Sequence, residues 1–371
     1  MKYRIPLAEP EIGKEELENV IECVKSGWVS SKGPFIEEFE KNFSNYLNVK
    51  HGIATSNGTA ALHLALAALG IKKGDRVLVP SLTFVAVANA VRYTGAEPVF
   101  VDSHPDYWCI DPSKIEEKID SRTKAIIAVH LYGHPCDMGE IMRIAQDRGL
   151  QVIEDCAEAH GAEYNGRKVG SYGIISCFSF YGNKIITTGE GGMCLTNNED
   201  LANRMRILRD HGMSPDKKYW HDIVGFNYRM TNMQAALGVA QLKKLDLLID
   251  KKRRIAITYK KLLQDLSTVV PAPEMPWARS VYWFYSVLVK KSFRDKIIDY
   301  LEREGIETRP FFYPLHVLPP YKDGLKLPVS EELSAMGLNL PSAFRLSEKH
   351  IQKVVESLNE GLEKLNMQKR N

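Results

Sequence analysis

Between residues 50 and 200 the chain alternates short apolar runs, rich in β-branched residues, with helical patterns. DRVLVP, EPVFVD, KAIIAVHLYG and LQVIEDCA read as strands, separated by stretches such as NAVRYTGA and MGEIMRIAQDRG. Apolar strands joined by helical crossovers predict a largely parallel sheet covered by helices on both faces, an α/β architecture. In such sheets ligands collect beyond the carboxyl ends of the strands. Before this region, Gly33-Pro34 opens a helix whose Phe35, Phe39, Phe43 and Leu47 recur every four positions. After it, Thr231 and Gln234 make a capping-box pattern ahead of one long helical run from Ala235 to Leu266, a candidate for joining two domains. The Pro-rich break PAPEMPW, the aromatic strand VYWFYSVLV and a Ser347-capped helix follow. The expected division is a large domain over 1–250, with an N-terminal substrate segment, and a smaller one over 251–371.

A length of 371 residues with 44% hydrophobic and 26% charged content suits a soluble globular chain. The net charge of +3 comes from 49 basic and 46 acidic residues scattered throughout, so no basic block tracks nucleic acid and the expected partner is a small molecule. The N-terminal residues lack a leader-like apolar core, and no segment approaches the ~20 apolar residues needed to cross a bilayer. A cytoplasmic protein without membrane contact is expected. Cys23, Cys109, Cys136, Cys156, Cys177 and Cys194 form no CxxC pair and read as reduced, mostly core thiols. His130, His134, His221 and Arg229 lack metal-ligand spacing, so no metal is expected.

Chemistry enters at SCFSFYGNKIITTGEGGMCLT, where Lys184 lies between an aromatic strand and a glycine-rich turn that leads into another apolar strand. Burial would lower its pKa, as an amine that condenses with an aldehyde requires; a surface lysine in a hairpin loop is the alternative on this segment alone. In VIEDCAEAHGAEY, Asp155 closes a predicted strand 29 positions before Lys184 (184 − 155). A buried carboxylate there could keep the ring nitrogen of pyridoxal phosphate protonated, although an isolated strand-end Asp is also a common cap or metal ligand. Glu158 could reach the same place. IATSNGTAALHLALAALG reads as a strand, a tight Asn57-Gly58 turn and a helix from Thr59, offering free N–H groups to a phosphate or merely a cap. Phe84 lies just past another strand end, suited either to stacking on a flat ring or to the core.

Taken together, GWVSSKG, SNGTAALHLAL, VPSLTF, VHLYGHPCDM, EDCAEAHGAEY, FSFYGNKIITTGEGGM, NYRMTNMQAALG and RPFFYPLH resemble the DegT/DnrJ/EryC1/StrS family of nucleotide-sugar aminotransferases over nearly the whole chain. The resemblance implies an aspartate-aminotransferase-type (fold type I) enzyme, with a mixed, mostly parallel seven-stranded sheet and a smaller α+β C-terminal domain. It implies that Lys184 bonds pyridoxal 5'-phosphate, Asp155 meets the pyridine nitrogen and Phe84 stacks on the ring. Gly58, Thr59 and Ser179 would hold the phosphate, and Asn227 would reach the phosphate of the neighbouring subunit in a homodimer. Glu158 stands where many relatives have Gln or His. Trp28, Ser30, Tyr313 and His316 resemble positions near the sugar nucleotide; aromatic and proline packing at a domain seam is their structural alternative.

Within the family the motifs look most like the branch that aminates GDP-4-keto-6-deoxy-D-mannose at C4 with L-glutamate. Amination of a UDP- or dTDP-linked 4-keto-6-deoxy sugar is the neighbouring reading, and a non-catalytic regulator or a decarboxylase the more distant ones. A related branch carries His at the lysine position and dehydrates the keto-sugar, so Lys184 implies amination.

Overall fold

A computed structural model describes residues 4–367; residues 1–3 and 368–371, at the ends of the expected large and small domains, lie outside the described residues. Two helices, α1 (Lys14–Ser26) and α2 (Pro34–Tyr46), precede β1 (His51–Thr55). Then α3 (Gly58–Ala68), β2 (Arg76–Pro80), α4 (Ala86–Tyr93), β3 (Glu97–Val101), β4 (Thr123–Val129), α5 (Met138–Arg148) and β5 (Gln151–Asp155) alternate. Two short strands, β6 (Glu163–Tyr164) and β7 (Arg167–Lys168), leave the main sheet before β8 (Ile175–Ser179) and β9 (Gly192–Thr196) rejoin it, and α6 (Glu199–Arg209) follows. The main sheet has the order β1-β9-β8-β5-β4-β2-β3. Its pairs are parallel from β8 to β3, and β9 runs antiparallel to both β1 and β8. This is the mixed seven-stranded sheet expected above. Two apolar clusters cover its two faces.

One of those faces is sealed by α2. Pro34 occupies its first turn, and the four-residue spacing turns Phe39 and Phe43, both fully buried, onto the sheet. Phe43 meets the rings of Phe178 and Phe180 at 4.9 and 5.2 Å, and Phe39 meets Phe180 at 5.0 Å. These contacts brace the end of β8 from behind. Space for Phe39 comes from Gly238, where a Cβ would fall 2.7 Å from the Phe39 ring.

The single long helix expected from Ala235 is two: α7 (Asn232–Lys243), with the expected Thr231–Gln234 capping box, and α8 (Leu245–Leu263). Lys244 leaves helical dihedrals (φ −110°, ψ 9°) while its ammonium is held by Glu16 and by the carbonyl of Glu11. Apolar periodicity runs through the break because both helices keep facing the interior. Beyond α8, β10 (Val269–Pro271), β12 (Tyr285–Val289), β14 (Gly337–Leu340) and β13 (Arg309–Pro310) form a second sheet in that order, while β11 (Ala278–Arg279) adds to β6 and β7. Helices α9 (Arg294–Arg303) and α11 (Glu348–Met367) back the second sheet, with Ser347 capping α11 as expected, and α10 (Pro328–Met336) leads into β14. VYWFYSVLV is a strand only from Tyr285. The N–H groups of Val281 and Trp283 are instead bound by the carbonyls of Gly133 and Tyr132, and Tyr282 is left-handed at φ 47°. HLYG likewise leaves β4 as a single 3-10 turn. The N-terminal residues join the C-terminal core: Ile5 bridges to Ile306, and the carbonyl of Leu7 accepts the N–H of Ser342.

Replacing Phe39 with Ala should leave a cavity under β8 and cost about 3–5 kcal/mol. A thermal unfolding midpoint equal to that of the parent would contradict this packing role.

Candidate active site

Because β9 runs against its neighbours, the loop from Phe180 to Gly191 doubles back over the same sheet edge where β1, β4, β5 and β8 end. A cavity of about 740 Å³ opens there, lined by Gly58, Phe84, Asp155, Glu158, Ser179 and Lys184 among others. The sheet explains the convergence: Asp155 is the last residue of β5 and pairs with Cys177 of β8, two residues before Ser179. Lys184 follows five residues later.

Only 11% of the Lys184 side chain is exposed, so the surface-lysine reading is set aside. Its Nζ lies 3.8 Å from Glu158 Oε1 and 3.6 Å from the centroid of the Trp283 ring. Burial pushes the amine below the usual lysine range, while Glu158 and Asp155 oppose that shift by favouring the ammonium. Burial likewise raises both carboxyl groups. Asp155 is restrained by a 3.0 Å hydrogen bond from Ala157 N–H, and Glu158 by Lys184 and by a 2.7 Å bond from the Tyr132 N–H. Behind them, Glu154 points to the opposite face of β5 and accepts the N–H groups of Gly170, Tyr172 and Gly173. His130 Nδ1 accepts from Cys136 N–H, which leaves Nε2 to donate to Glu154 at 3.2 Å. His130, Glu154 and Cys156 could in principle ligate a cation, but the first two are committed to this backbone scaffold under Asp155.

At the other wall, Asn57 is the N-cap of α3 rather than a turn residue: its side chain accepts the Ala60 N–H at 2.8 Å. The N–H groups of Gly58 and Thr59 have no acceptor among the described residues, and they sit at the positive end of the helix. A Cβ on Gly58 would fall 2.7 Å from that of Ser179, so only glycine lets the two backbones close. Phe84 is 54% exposed and faces the cavity, with its ring 5.7 Å from Phe312.

Other expected positions do not line this cavity. Trp28 and Ser30 are exposed and are tied through their carbonyls to Asn232 at the start of α7. Tyr313 is exposed and outside the cavity lining, whereas His316 is buried, with Nδ1 2.6 Å from Ser81 Oγ and Nε2 3.1 Å from Glu331. Asn227 is exposed, and its side chain accepts from Arg229. Conversely, Trp283, Phe312, Arg309 and Asn339 enter the lining from the C-terminal part of the chain. Trp283 was hidden inside an apparent strand; its link to the Lys184 loop, an indole N–H bond of 2.7 Å to the Asn183 carbonyl, spans 100 residues.

The profile of the DegT/DnrJ/EryC1/StrS aminotransferase family matches residues 10–359. The chain belongs to this aminotransferase family. It is 48% identical to the GDP-perosamine synthase of Escherichia coli O157:H7, covering 97% of this chain and 99% of that one. Identity to the GDP-perosamine synthase of Caulobacter vibrioides is 49%, covering 97% and 98%. Among solved structures, the aminotransferase TlmJ of Streptoalloteichus hindustanus superposes with a TM-score of 0.94 at 32% identity, covering 98% of this chain and all of that one. Pyridoxal phosphate is the family's cofactor, and the cavity fits it: a buried amine, two buried carboxyl groups and two free N–H groups at a helix start face one space.

Changing Glu158 to Gln removes the carboxylate nearest Lys184 and should move titration of that amine to lower pH, because an opposite charge favours the ammonium. Amine-selective labelling of Lys184 across pH reads this directly, and an unmoved midpoint would separate the two groups electrostatically.

Proposed function

We propose that this pyridoxal-phosphate-dependent aminotransferase moves the amino group of L-glutamate to C4 of GDP-4-keto-6-deoxy-D-mannose, yielding GDP-perosamine and 2-oxoglutarate for surface polysaccharide synthesis in the cytoplasm. The observation that carries the reading is near-half identity to two GDP-perosamine synthases along essentially the full length of both chains, with Lys184 buried beside Asp155 and Glu158. When bound, the cofactor supplies an electron sink that stabilises charge left on the carbon losing a proton.

The roles follow from placement. Lys184 would bond the cofactor and, once displaced by the incoming amine, would carry the α-proton of the donor to the carbon on the far side of the shared nitrogen; toward the keto sugar it would run the same transfer in reverse. Burial favours its neutral form, which is the form able to accept that proton. Asp155 would keep a proton on the ring nitrogen, where a carboxylate in a dry site acts strongly. Glu158, which faces Lys184, would meet the ring hydroxyl. Gly58, Thr59 and Ser179 would hold the phosphate at the start of α3, and Phe84 would cover one face of the ring.

The enzyme works as a homodimer in this reading. Asn227 follows a loop whose Tyr219, Trp220 and Val224 are 76%, 52% and 90% exposed, a large apolar surface for a chain alone in water. Asn227 would serve the phosphate of the neighbouring protomer, while Trp28, Ser30 and Tyr313, all exposed, would complete the sugar-nucleotide site. His316 contributes only through its buried bonds to Ser81 and Glu331.

Offering GDP-, UDP- and dTDP-linked 4-keto-6-deoxy sugars with L-glutamate and weighing the products tests the assignment. Amination of the GDP sugar at least about tenfold faster than the others is expected, and preference for another nucleotide overturns the substrate. Lys184→Ala should lose more than about 100-fold in turnover together with the visible absorption of the lysine-bound cofactor; retained turnover contradicts its role. Mixing Lys184→Ala with Asn227→Ala protein should restore activity through heterodimers, and no recovery after proven subunit exchange would count against shared sites.

A further inference from the structure

Trp283 carries no ionisable or nucleophilic group, yet it is fixed more thoroughly than a lining residue needs to be. It is 3% exposed. Its indole N–H is bound by the Asn183 carbonyl at 2.7 Å, and its backbone N–H by the Tyr132 carbonyl at 3.1 Å. Its own carbonyl accepts the Lys252 ammonium at 2.9 Å. Lys252, itself buried, spends its remaining protons on the carbonyl and hydroxyl of Ser342 at 2.7 and 3.1 Å. The ring is therefore clamped from the Lys184 loop, from the turn after β4 and from α8.

This clamped ring, stacked with Phe284 at 4.0 Å and with Tyr132 at 6.4 Å between centroids, also carries one cation over its face. Lys184 Nζ stands 3.6 Å from the ring centroid, well inside the ~6 Å over which a cation is drawn to an indole face, and tryptophan is the strongest aromatic partner for that contact. The same Tyr132 whose carbonyl holds Trp283 donates its N–H to Glu158, so one turn sets both neighbours of the amine. A lysine that leaves and rejoins the cofactor in each cycle needs a defined place to stand between those events. A flexible four-carbon side chain would otherwise lose reach and orientation, which proximity catalysis depends on.

We propose that the face of Trp283 is the docking place of the Lys184 ammonium whenever that side chain is not bonded to the cofactor, making Trp283 a positioning residue for both proton transfers, with Lys252 as the latch that fixes it. The inference rests on Lys184 being the cofactor lysine and is independent of which sugar nucleotide is used. In balance, the amine takes the donor's proton and becomes the ammonium, rests over the ring, and gives the same proton to the carbon on the far side of the shared nitrogen, returning to the neutral amine. The charged groups acting on Lys184 are Glu158 and Asp155, which favour its ammonium; the buried His160, held down to about 3 by burial and by the Lys184 charge, stays neutral, and Glu190 and Arg309 line the same cavity.

The test reads Lys184 itself. Full-length protein freed of cofactor is labelled with an amine reagent across pH, and modification of Lys184 is followed by peptide mass spectrometry in the parent, Trp283→Leu and Trp283→Phe. Loss of the aromatic face removes a contact that favours the ammonium, so the midpoint should fall by about one pH unit in Trp283→Leu and by less in Trp283→Phe. With cofactor restored, exchange of the glutamate α-proton into deuterated water should slow by at least about tenfold in Trp283→Leu, with the KM for the sugar nucleotide unchanged and partial rescue by Phe. Equal midpoints in all three proteins overturn the proposal. If Trp283→Leu does not fold, the Phe variant decides alone: a midpoint below that of the parent supports the contact, and an identical one removes it. Failure of the cofactor-lysine reading would show separately, as unaltered cofactor absorption in Lys184→Ala.

Discussion

The active site rests on one reversal of direction in the main sheet. If β9 ran parallel to β8, the segment between them would have to cross a face as a helix, and Lys184 would be carried away from the carboxyl edge. Instead β9 enters antiparallel between β1 and β8, and Phe180–Gly191 folds back over that edge. The insertion demands close backbone approach: Gly192, paired with Thr55, lies where a Cβ would come within 2.4 Å of the Asn57 carbonyl. Strand order, the start of α3 and the Lys184 loop are therefore one constraint seen from three sides.

That placement sets up the electrostatics. Burial drives Lys184, Asp155 and Glu158 toward their neutral forms, and the attraction between the amine and the two carboxyl groups partly restores their ionisation. Lys184 is consequently an amine whose proton affinity answers to its neighbours, which suits the proposed role of accepting and releasing a proton. A second buried lysine makes the contrast plain. Burial lowers Lys252 to about 7, yet its three acceptors leave it no freedom and it does not line the cavity. Depressed basicity alone does not make a catalytic lysine; access to the shared space does.

Much of this was legible in the sequence. The β/α alternation carried the main sheet, and strand ends located Asp155, Gly58 and Phe84 near one edge, because parallel strands bring their carboxyl ends together whatever their order. Lys184 was ambiguous from its own segment, since burial depends on β9's direction and on Trp283, 99 residues further on (283 − 184). The break at Lys244 was invisible because ties to Glu11 and Glu16, not apolar period, produce it. His316 shares a motif with the lining residue Phe312, yet the short 3-10 turn that follows buries it against Ser81 and Glu331. Local pattern reports which face a residue takes, whereas long-range pairings decide which residues meet.

The proposed chemistry turns on Lys184 being the residue that bonds the cofactor. Reducing the lysine–cofactor bond of the purified enzyme with borohydride, followed by peptide mass spectrometry, measures this without reference to any substrate. The pyridoxyl mass should appear on the peptide containing Lys184 and on no other. Its appearance on Lys252, or on any lysine outside the cavity, would contradict the account.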